Sequence, residues 1–150
     1  MEYAIGIILA LAVSGFATAA GFDRDRAFYP VLAIVVASYY GLFAVMGGST
    51  AALLTESVVI GAFLFIAILG FKLNLWFAVA ALAGHGVFDF VHAHLISNPG
   101  VPAWWPGFCL TYDVAAAAYL AWILRSRLEA RRARPFNTEN LERADLSAAP

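Results

Sequence analysis

The chain has 150 residues, 63% of them hydrophobic and 13% charged, with a formal net charge of −1 and a mean hydropathy of +0.80. Soluble domains carry about 25% charged residues, so this composition excludes an ordinary soluble fold and reads as one integral membrane domain. The single cysteine, Cys109, excludes an intramolecular disulfide and a cysteine-rich zinc site.

Five apolar stretches follow one another, at residues 3–20, 28–46, 50–71, 74–96 and 108–124. Each is close to the roughly 20 residues that cross a bilayer as a helix. In the first stretch, Ala17-Thr18-Ala19 resembles a signal-peptide cleavage site. A signal peptide needs a basic segment ahead of its apolar core, and here Glu2 precedes while Arg24 and Arg26 follow, so a retained first helix is expected. Polar or glycine-rich breaks separate the stretches: residues 21–26, Gly47-Gly48-Ser49, residues 72–74 and Ser97-Asn98-Pro99-Gly100. β-Branched residues are frequent, but the runs lack strand alternation and exceed strand length. The fold class expected is all-α, a bundle of five transmembrane helices over residues 1–125.

The basic residues give an orientation. Arg24 and Arg26 lie between the first two stretches, Lys72 between the third and fourth, and Arg125, Arg127, Arg131, Arg132, Arg134 and Arg143 after the fifth. The other connections carry no lysine or arginine, so the N-terminus is expected outside and the C-terminus in the cytoplasm of a bacterial inner (plasma) membrane. Trp104 and Trp105 suit an interfacial aromatic belt on the outer side. The tail, 126–150, is basic and then polar. Helix five is expected to run on to Ala133, Pro135 to stop it, and Asn137 to cap a short turn. The arginines read as a topology anchor, with contact to anionic membrane lipid as the functional alternative, and nucleic acid is not an expected partner.

All three histidines fall in the fourth stretch, in Gly84-His85-Gly86-Val87-Phe88-Asp89-Phe90-Val91-His92-Ala93-His94. Ionisable groups cost roughly 2.5–3.5 kcal/mol each at the centre of a membrane helix, so they face the bundle interior and find partners. At about 100° per residue His85, Asp89 and His92 share one stripe, and His94 points away. Glu56, Tyr40, Cys109, Tyr112 and Asp113 lie at similar depth on neighbouring helices. Helices three, four and five are therefore expected to enclose a polar pocket open to the outer side. Ala80, Gly84 and Gly86 on helix four, and Ala115 to Ala118 on helix five, allow close approach around it.

Three chemistries fit. In the first, Asp89, His92 and Asp113 hold a divalent metal such as zinc, manganese or iron. Asp89-x-x-His92 has the spacing of helical carboxylate-bridged metal sites, and His85 or Glu56 acts as general base in a hydrolase for a lipid-like or other small-molecule substrate. His85 and His92 stand roughly 10 Å apart along the axis, which puts both on one ion only with difficulty. In the second, the same residues form a proton- or cation-coupled relay, for which an oligomer could supply the missing framework. In the third, they are a buried network of a structural or helper subunit. Haem is not expected, because facing histidines are lacking in one chain. Cys109, one turn before Asp113, is a weak nucleophile candidate against an ordinary packing role.

Together His85, Asp89, His92, Asn98, Pro99, Pro102, Cys109 and Asp113 make up a His-x-x-x-Asp-x-x-His helix, an Asn-Pro-x-x-Pro loop and a Cys-x-x-x-Asp helix. This pattern, over residues 84–122, resembles a family of small bacterial multi-pass membrane proteins known as a domain of unknown function. The resemblance implies that these positions form one site and implies no activity. The family pattern has adjacent histidines, whereas here Ala93 separates His92 from His94.

Overall fold

The computed structural model describes residues 1–133. It contains five helices: α1 (Glu2–Ala20), α2 (Phe28–Met46), α3 (Thr50–Lys72), α4 (Trp76–Leu95) and α5 (Trp105–Arg132). All five are long and apolar enough to cross a membrane, and each lies within a few residues of its expected stretch. The expectations for Pro135 and Asn137 fall outside the described residues.

Local chemistry sets the ends. α1 closes on Gly21, whose φ of 83° is left-handed. Phe22 N then donates to Ala17 O and Gly21 N to Thr18 O, the paired bonds that satisfy the last carbonyls of a helix. Ser49 caps α3 by accepting from Ala52 N at 3.2 Å. α4 starts later than expected, at Trp76, after a turn in which the Asn74 side chain accepts from Trp76 N. α5 starts earlier, at Trp105, because Pro106 fits the first turn, where no intrahelical donor is needed.

Packing is inverted relative to a soluble protein. The interior is lined by small residues, among them Ala10, Ala17, Ala33, Ala44, Ala67, Ala78, Ala81 and Ala116. Large apolar side chains such as Ile8, Val58, Phe65, Phe90 and Trp122 point outward. In a bilayer there is no hydrophobic drive to bury leucine, so small residues that let backbones approach take the interior. The tightest pairs are α1 with α5, α4 with α5 and α2 with α3, while α3 and α2 pack more loosely on α4. A Cβ on Gly86 would meet Leu110 O of α5 at 3.0 Å, so this glycine sets the α4–α5 approach. Ala80 and Ala118, expected in that contact, are exposed because helical periodicity turns them outward.

The connections sort into two ends. Residues 24–26, 73–76 and Arg127 and Arg131 of α5 meet around one cavity. At the opposite end the N-terminus lies beside Trp104, Trp105 and Phe108. There the Asn98-Pro99-Gly100 loop tucks against the end of α2, with Gly100 so close to the Phe43 carbonyl and to Gly47 that a side chain there would overlap them. Trp105 packs edge-on against Tyr39 and Phe43, completing an aromatic girdle at this tryptophan end.

Candidate functional site

The His85–Asp89–His92 stripe faces the interior as expected, and His94 is exposed. One to three turns from the tryptophan end, it meets Tyr40 of α2, Glu56 of α3 and Asp113 of α5. Relative exposure is 0% for Glu56 and Asp113, 1% for Tyr40, His85 and Asp89, and 2% for His92. An open pocket was expected, but these side chains are sealed. Phe63 packs edge-on against His85 with centroids 4.9 Å apart, and Phe88 packs against His92 at 5.5 Å.

Two centres emerge, and they divide the residues differently from the expected assignment. In the deeper one, His85 Nδ1 lies 2.7 Å from Asp113 Oδ2 and 3.3 Å from Asp89 Oδ2. An ionised carboxylate only accepts, so Nδ1–H donates to Asp113. Nδ1 has one hydrogen and faces two carboxylates. Asp89 Oδ2 and Asp113 Oδ1 are thus buried without a hydrogen-bond partner. His85, Asp89 and Asp113 each offer a ligand atom, all within 4.8 Å of one another, and could hold a metal ion.

The shallower centre takes the other histidine. His92 Nε2 donates to Glu56 Oε1 at 2.7 Å, and the same oxygen accepts from Asn98 Nδ2 at 3.0 Å. His92, expected beside Asp89 and Asp113, thus pairs with Glu56, and His85 takes its place. The cause is axial distance: seven residues of helix separate the two imidazoles by about 10 Å, too far for one centre.

Tyr40 and Asn98 join the centres. The Tyr40 hydroxyl donates to Asp89 Oδ1 at 2.5 Å. Its ring stacks on His92 with centroids 4.0 Å apart and an interplanar angle of 24°. Asn98 also donates to Tyr40 O at 3.0 Å, tying the α4–α5 loop to α2 and α3 at once. From the sequence Tyr40 is expected at this depth without a role, and Asn98 joins the site only through the family resemblance. A polar residue between a membrane helix and a Pro-Gly turn was the available signal for Asn98. Cys109 is buried without a disulfide partner, at the foot of an apolar furrow between α1, α2 and α5 that Val36, Tyr39 and Phe108 also line.

Comparisons with protein-family models, curated proteins and solved structures find no match to this chain.

Proposed function

We propose that the chain is a metal-dependent membrane enzyme, with its N-terminus outside and its C-terminus in the cytoplasm of a bacterial inner membrane. In this reading His85, Asp89 and Asp113 hold a divalent zinc, manganese or iron ion, and a lipid-like ester is hydrolysed beside it. One observation carries it: three carboxylates are buried among only two imidazoles, with an oxygen of each carboxylate unpartnered. With all three carboxylates ionised, one negative charge stays uncompensated even with both imidazoles cationic, in a medium where unpaired charge is costly. A dication between His85, Asp89 and Asp113 balances the two aspartates, while His92 and Glu56 balance each other.

An ion held by His85, Asp89 and Asp113 would supply an acidified water as a nucleophile at neutral pH. Hydrolysis would add that water across the ester C–O bond, giving the acid and the alcohol. The Glu56–His92 pair would be the acid–base group nearest to that ion, with the Tyr40 ring stacked on His92 and the Tyr40 hydroxyl bonded to Asp89. The furrow ending at Cys109 supports a lipid-like substrate, because it is apolar and reaches one turn from Asp113. Release of fatty acid from phospholipid or glycolipid vesicles, dependent on added metal and abolished by chelator, tests the activity. Intact lipid at full metal loading would rule out hydrolysis.

A second reading rests on a different observation. Asp113, His85, Asp89 and Tyr40 form an unbroken run of short polar contacts across three helices, the kind of chain that relays protons. Proton flux into liposomes that is lost in Asp89→Asn would favour it. The resemblance noted from the sequence, treating residues 85–113 as one site, is compatible with both readings.

A further inference from the structure

The end of the bundle away from the metal centre has a cavity of its own. It measures about 470 Å³ and is lined by Arg24, Arg26, Arg127 and Arg131, with Asp25 the one carboxylate in its wall. The arginines come from the α1–α2 connection and from α5, so the fold, not a run of sequence, brings them together. Among the described residues, Arg24, Arg26 and Arg131 make no ion pair. Arg127 is anchored on the buried Asp23 at 3.4 Å, and Asp23 accepts from Thr18 Oγ1 at 3.0 Å. α5 overruns the membrane to place them: its 28 residues span about 42 Å against roughly 30 Å of hydrocarbon.

Apart from Asn74, the rest of the wall is apolar. Leu73, Leu75, Leu124 and Leu128 line it, with Trp76 at the rim. The first turn of α4 opens beside it, adding the positive end of a helix dipole. Guanidinium groups bind phosphate oxygens in bidentate fashion, and of the leucines Leu124 lies on the membrane side of Arg127 along α5. We infer that this cavity is a binding site for the phosphate of an acidic phospholipid, with the headgroup on Arg24, Arg26 and Arg131 and an acyl chain along the leucines. A free phosphate shares the headgroup chemistry but makes no use of the leucines.

Full-length protein purified in detergent, mixed with phosphatidylglycerol or phosphatidylcholine and weighed by native mass spectrometry, tests the site. Wild type is expected to retain phosphatidylglycerol in preference to phosphatidylcholine. The double variant R24Q/R131Q is expected to lower phosphatidylglycerol affinity roughly 30-fold, from about a factor of five per arginine near an anionic headgroup. R125Q/R132Q removes the same charge from exposed positions outside the lining and is expected to change affinity less than about twofold. Equal losses in both variants would mean diffuse surface attraction and overturn the site. Inorganic phosphate at millimolar concentration is expected to leave the lipid bound. Full displacement by phosphate would assign the cavity to a soluble anion and overturn the lipid. All positions lie at the surface, and an unchanged gel-filtration profile checks that the variants fold.

Discussion

The hydroxyl of Tyr40 is the smallest unit on which the site depends. It supplies the hydrogen bond to Asp89 Oδ1, and the Asp89 side chain is buried. Tyr40→Phe is expected to destabilise the protein by about 1–3 kcal/mol, the cost of a buried acceptor left without its donor. Tyr39→Phe, one residue away on a partly exposed face, is expected to change stability by less than about 0.5 kcal/mol. Thermal unfolding of both variants in detergent compares them directly. Much at this scale was readable from the sequence, because the inward turn of His85, Asp89 and His92 follows from helical spacing alone. Which histidine meets which carboxylate was not, since that depends on how far α3 and α5 slide along α4. Asn98 enters the site only through the family resemblance, because a loop side chain has no periodicity from which its partners, Glu56 and Tyr40, could be read.

At the scale of helices, close backbone approach decides whether these side chains meet. Gly100 sits against the Phe43 carbonyl and Gly47, where the α4–α5 loop closes over the end of α2. Gly100→Ala is expected to cost about 1–3 kcal/mol by overpacking, since both contacting groups are backbone and cannot turn aside. Gly61, with nothing within 4 Å of an added Cβ, gives the opposite sign. Gly61→Ala is expected to stabilise by up to about 1 kcal/mol through helix propensity. Melting temperatures of the two variants should move in opposite directions. Helix positions were legible because bilayer thickness sets a length that composition reveals. The pairing of α1 with α5, the far ends of the described bundle, was not legible. It rests on the surfaces that Gly6, Phe108 and Thr111 present to each other, and no spacing within either helix encodes it.

For the whole molecule, the separation into an arginine end and a tryptophan end predicts a single orientation in the membrane. With Cys109 replaced by alanine, Ser97→Cys is expected to react with a membrane-impermeant maleimide in intact cells. Ser126→Cys is expected to react only after permeabilisation. The reverse pattern would invert the proposed topology while leaving the bundle intact. Above orientation stands the claim that a dication compensates the buried carboxylates. Elemental analysis of protein purified from metal-replete cells tests it most directly, in wild type, His85→Ala, Asp113→Asn and His92→Ala. About one transition-metal ion per wild-type chain is expected, with its loss in His85→Ala and Asp113→Asn and its retention in a folded His92→Ala. Metal-free wild type, or metal lost from His92→Ala but kept in Asp113→Asn, would contradict it.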